Sequence, residues 1–222
     1  MPAGQRGHAT RFDRRTRWFH GAWAVVTLVL LATGWWLRAG HEGDPSLLAR
    51  LADRPDTELH RQAGWILVGL VAVALTLGIR GAFRFARETV RIDRGDGHWF
   101  RRWPIGAFTG RFAHHRGHFD PGQRLANIGF VATLGTLVVT GIGLTTVKTG
   151  PSFVWFHRVH RYATYALIIL VAGHILVAAG VLPGYRGAWR SMHLGGRTPQ
   201  ATARRLWPES ELSRSGRPGD DR

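Results

Sequence analysis

The chain of 222 residues contains no cysteine. That absence excludes disulfides, thiolate zinc sites, cysteine-held iron–sulfur clusters and covalently attached c-type haem, which needs Cys-x-x-Cys-His. Any redox centre held by the chain must use other ligands, and 12 histidines are available. Acidic residues are scarce too: 14 Asp and Glu against 30 Lys and Arg give a formal charge of +16. Such a charge would suit nucleic acid. The arginines, however, lie mainly in segments that would share one side of a membrane, where a positive-inside bias accounts for them, so no nucleic-acid partner is expected.

Long apolar blocks decide the class. Trp18 to Leu37 follows a basic start carrying Arg6, Arg11, Arg14, Arg15 and Arg17. It is long enough to span and ends in Trp35-Trp36 rather than at a small-residue cleavage site, which favours a first spanning helix over a signal peptide. A mixed loop from Arg38 to Leu59 leads to a second block, Trp65 to Ile79, extended back towards His60 to reach spanning length. Seven arginines between Arg80 and Arg102 mark a long connection with room for an amphipathic interfacial helix near Phe83 to Val90. Leu125 to Val147, punctuated by Gly129, Gly135, Gly141 and Gly143, and Trp155 to Leu182 complete the set. The expected fold is an all-α, integral membrane four-helix bundle with spans at about 18–38, 61–80, 125–147 and 155–182. Residues 1–17 form a basic cytoplasmic segment and 183–222 a cytoplasmic tail whose Ser-, Gly-, Arg- and Asp-rich end is expected to be disordered. Both termini are cytoplasmic in this reading.

Histidines inside such spans are costly without a partner and mark functional sites. His160 and His174 lie fourteen residues apart on the fourth span, which brings them about 40° from one helical face and roughly 21 Å apart in depth. His20 starts the first span on the cytoplasmic side and His60 starts the second on the other. Antiparallel threading matches His20 with His174 and His60 with His160, each pair able to bind one iron axially from two helices. The expectation is therefore two b-type haems, inner and outer. His157 competes with His160 for the outer position but points about 100° away from His174. Arg158 and Arg161 flank that site and are candidates for pairing haem propionates or for snorkelling to headgroups. His114, His115 and His118 read as a solvated basic loop, since no zinc-site spacing of carboxylate or cysteine accompanies them.

The chain resembles the cytochrome b (gamma) subunit of respiratory membrane-bound formate dehydrogenases, within the broader di-haem family that includes the cytochrome b of nickel–iron hydrogenases. The resemblance covers roughly residues 11 to 207 and rests on Arg14, Arg17 and His20, on His60, on the pair in the fourth span, and on Phe119-Asp120-Pro121-Gly122-Gln123-Arg124. That last element is similar to the family's Asn-x-Gly-Gln-Lys, with Asp120 where Asn is usual. The resemblance implies a quinone site (menaquinone or ubiquinone) beside the inner haem, formed by Asp120, Gly122, Gln123 and His174. It further implies an iron–sulfur (beta) subunit delivering electrons and a molybdenum- or tungsten-containing (alpha) subunit oxidising formate, which this chain does not itself do; a higher oligomer of the complex is compatible with it. The alternatives are the cytochrome b of a hydrogenase or thiosulfate-reductase-type complex and a haem-less membrane anchor.

Overall fold

The computed structural model describes residues 8–41 and 44–207. Its helices are α1 (Arg14–Arg38), α2 (Leu47–Ala52), α3 (Asp56–Thr76), α4 (Ile79–Thr89), α5 (Asp96–Thr109), α6 (Pro121–Thr146), α7 (Gly150–Ala178), α8 (Arg190–His193) and α9 (Gln200–Leu206), with a 3₁₀ turn at Pro183–Tyr185. Two short strands, β1 (His8–Thr10) and β2 (Arg197–Pro199), complete the described elements. Four helices, α1, α3, α6 and α7, are long and apolar enough to cross a membrane. The fold is an all-α membrane bundle of four spans.

These helices start where the local chemistry tells them to. Asp13 precedes α1 and accepts a hydrogen bond from the Thr16 amide at 2.7 Å, which holds its carboxyl below the usual carboxylate range. Asp56 and Glu58 sit in the first turn of α3, where negative charge suits the helix dipole. Their outward faces are greasy. Val25, Leu28, Trp35, Ile66, Val131, Val139 and Ile169 are exposed, as lipid-facing positions should be.

The chain divides into two compact units. The first comprises Phe19–Ala82 and Val131–Ile168 and contains segments of all four spans. Buried positions on these segments include threonines, Thr27, Thr33 and Thr140, alongside Ala63, Leu67 and Leu167. The connection between α1 and α3 folds into α2, capped by Ser46, whose amide also donates to Asp56 at 2.9 Å.

The second unit comprises the chain before Phe19, Phe83–Phe130 and everything from Ile169 onward. A dense core of Ala107, Tyr185, Leu206 and Trp207, with Trp103, Phe112 and Leu182 against it, holds it together. Gly184 belongs there because a Cβ would lie 2.2 Å from the Gly106 carbonyl oxygen, so α5 and the 3₁₀ turn could not approach. β1 and β2 pair antiparallel, His8 opposite Pro199 and Thr10 opposite Arg197. That ladder ties the segment before α1 to the segment before α9.

The connection between the second and third spans carries two helices: α4 covers the expected amphipathic stretch, and α5, which was not foreseen, follows it with Trp99 only 1% exposed. One expectation needs correction. His115 is not solvated: it is buried, and its Nε2 lies 2.8 Å from the Leu206 carbonyl oxygen, while His114 and His118 are exposed. The physical reason is the segment from residue 183 to 207, which folds over that connection as part of the same core. The tail beyond residue 207 lies outside the described residues.

Candidate functional site

His60 occupies the second turn of α3 and His160 the third turn of α7. Their rings face one another in the first unit, with centroids 6.3 Å apart and planes at 77°. A metal held between two opposed imidazoles, each bond about 2 Å and each nitrogen about 1.2 Å from its ring centre, places the centres roughly 6 Å apart. The observed spacing of the two rings is close to that value. His157 turns elsewhere, stacked on Phe153 at 6.2 Å.

Each ligand candidate has a polar neighbour on the adjacent span. His60 Nδ1 lies 2.9 Å from Thr33 Oγ1, and His160 Nδ1 lies 2.9 Å from Thr140 Oγ1. Both threonines are almost completely buried, at 0% and 1% exposure. Sequence reasoning missed them, although Thr33-Gly34 and Thr140-Gly141 are the same dipeptide set inside two apolar runs. Arg161 extends over the Tyr162 ring at 5.5 Å, and Arg158 is exposed. Arg38, at the end of α1, donates to the Tyr165 hydroxyl.

The other two histidines stand in different surroundings. His20 is half-buried on α1 in the first unit. His174 is on α7 in the second unit, edge-on to Phe130 at 5.7 Å, and is the most exposed of the four. Because α7 is one continuous helix from Gly150 to Ala178, His160 and His174 are separated by about 21 Å along its axis.

Asp120, Gly122 and Gln123 come together at the start of α6 in the second unit. Asp120 Oδ1 accepts from the Gln123 amide at 2.8 Å, and the Asp120 amide donates back to Gln123 Oε1 at 3.4 Å. This is a reciprocal capping box, with Pro121 at the first helical position where a missing N–H costs nothing. Asn and Asp are equally good N-caps, so Asp120 can replace Asn without altering the backbone. Gly122 is required by packing, since a Cβ would meet Trp99 Cη2 at 2.8 Å. Gln123 Oε1 also accepts from Trp207 Nε1 at 3.3 Å.

Charge is buried beside this box. Asp120 is 4% exposed, and burial pushes its carboxyl above the usual range despite the Gln123 amide, His115 and Arg11. Arg11 lies 3.3 Å from the centre of the Trp207 ring and donates to the His118 carbonyl at 3.3 Å. Burial lowers its guanidinium to about 9, with Asp120 opposing the shift. Arg124, 3% exposed, binds Asp96 at 2.7 Å and the Arg91 carbonyl at 2.6 Å, pinning α6 to the preceding connection.

The description of prokaryotic cytochrome b561 matches residues 11–195, most of the chain. The chain belongs to the prokaryotic cytochrome b561 family. It is accordingly a multi-pass protein of the bacterial inner membrane, a b-haem-binding electron-transfer component of an oxidoreductase complex. No curated protein matches it. The matched region of this cytochrome b561-family chain contains all four candidate histidines, Thr33, Thr140 and the Asp120 capping box.

Proposed function

We propose that the chain is the membrane cytochrome b subunit of a formate dehydrogenase complex, carrying electrons from an iron–sulfur subunit through two b haems to a quinone. The facing of His60 and His160 at 6.3 Å carries the outer haem assignment. His20 and His174 are the ligands of the inner haem in this proposal, on the ground that antiparallel threading gives them equal depth. Bound haem supplies one-electron redox chemistry. The chain's contribution is to hold the two ligand pairs about 21 Å apart along α7. Quinone reduction takes up two protons with its two electrons, which calls for a protonatable group near the inner site. Asp120, whose carboxyl burial holds above its usual range, is the proposed source of that proton, in a proposed quinone site formed with Gly122, Gln123 and His174.

Formate as the partner's substrate rests on the Asp120-Pro121-Gly122-Gln123-Arg124 element and its resemblance to the formate dehydrogenase branch. A hydrogenase or thiosulfate-reductase-type partner is the second reading, favoured by a family match that is to the broader group. Co-purification from membranes with metal analysis separates the two: molybdenum or tungsten in the large subunit supports the proposal, and nickel refutes it. Replacing His174 by Ala is expected to remove one of two b haems and quinone reduction, whereas a haem-less anchor would keep assembly and activity.

A further inference from the structure

We propose that Thr33 and Thr140 are positioning residues for the outer haem, each accepting the Nδ1–H of one axial histidine so that Nε2 is left for iron. The inference rests on the reading of His60 and His160 as ligands. Each threonine hydroxyl has a single proton and three atoms in reach, two carbonyl oxygens of its own helix and the imidazole Nδ1. Thr33 Oγ1 is 2.8 Å from the Val29 carbonyl oxygen and 3.4 Å from that of Leu30. Thr140 Oγ1 is 2.7 Å from the Thr136 carbonyl oxygen and 3.3 Å from that of Leu137. A carbonyl can only accept, so the hydroxyl proton goes back into its own helix and the oxygen lone pair turns to the imidazole. The imidazole must then carry its proton on Nδ1, which is the tautomer that presents a bare Nε2.

The next residue completes the device. A Cβ at Gly34 would stand 3.1 Å from His60 Cε1, and one at Gly141 would stand 3.6 Å from His160 Cε1. The Thr-Gly dipeptide thus meets the ring with an oxygen at one position and a glycine at the next, tightly at Gly34 and at ordinary contact distance at Gly141. It does so twice, α1 serving the histidine of α3 and α6 serving that of α7. Two helix pairs with unlike surrounding sequence have arrived at one arrangement, which packing alone does not require.

The chain from imidazole N–H to hydroxyl to helical carbonyl polarises along its length. Donation from Nδ1 makes Nε2 a more basic ligand and favours ferric over ferrous iron. Removing the acceptor therefore moves the outer haem's midpoint potential in the positive direction and loosens its grip.

The test is a redox titration and low-temperature EPR of both b haems in the purified complex, for T33V, T140V, T33S, T140S and H60A. Valine keeps the shape of threonine and cannot accept; serine keeps the oxygen. In T33V and T140V one haem should shift positive, change its low-spin g-values and be lost to detergent or apo-myoglobin about 10-fold faster or more. The other haem, unchanged, reports that the chain is folded, and the serine variants should stay near wild type. Unchanged potential and g-values in both valine variants, with H60A losing one haem, overturn the positioning role alone. Retention of both haems by H60A overturns the ligand reading and this inference with it. Loss of potential control in the serine variants as well assigns the threonines to packing and also refutes the proposal.

Discussion

Exchanging Asp120 for Asn and for Ala separates the two duties of that side chain, capping α6 and holding a buried titratable proton. Asn keeps the oxygen that accepts the Gln123 amide and removes the carboxylate. Because burial raises the Asp120 carboxyl in the fold, the native state holds a proton that the unfolded chain has already released. Stability attributable to this group is therefore greatest at low pH and is lost as pH rises from its ordinary value of 3.8 towards the raised one. D120N should flatten that slope and be at least as stable as wild type at neutral pH. D120A loses the cap as well, at a cost of about 1 kcal/mol relative to D120N, or roughly fivefold in the unfolding equilibrium. Thermal loss of the Soret band in detergent, followed from pH 4 to pH 8, measures both effects. Equal destabilisation by the two substitutions, with the wild-type slope intact, would show that Asp120 neither caps the helix nor carries the strained charge. Quinone reduction in D120N is an independent readout: its loss at unchanged stability supports proton delivery by the Asp120 carboxylic acid.

G34A should disturb the outer haem more than G141A, since the added methyl meets its histidine at 3.1 Å rather than 3.6 Å; comparing their haem spectra checks the order. R124L removes the guanidinium from a half-buried Asp96 that keeps the Asp93 amide, and should cost about 1–3 kcal/mol, read as a lowered midpoint of thermal unfolding. Single alanine substitutions at the four histidines should fall into two spectral classes, His20 with His174 and His60 with His160, and any other grouping of the missing haems contradicts the pairing.

The spans were legible because crossing a bilayer demands a long apolar run, and little else produces one. Their first turns were not. α3 begins at Asp56 and α6 at Pro121, ahead of the apolar residues, because polar caps and dipole-matched acids start a helix before its greasy part. The histidine spacing on α7 is a property of one helix and could be read from numbering alone. Thr33 and Thr140 could not be, since threonine is common in apolar runs and its partner lies on another helix. The burial of His115 depends on Leu206, distant in the chain, and three-residue strands such as β1 and β2 leave no periodicity to find.

The β1–β2 ladder joins residues from nearly opposite ends of the sequence. During synthesis the N-terminal strand waits, without its mate, until the last span has been inserted and the following segment has left the ribosome. Closure of that ladder therefore follows synthesis of the last span. A chain that stalls or is clipped before residue 197 would leave Arg11 without the Trp207 ring it packs against.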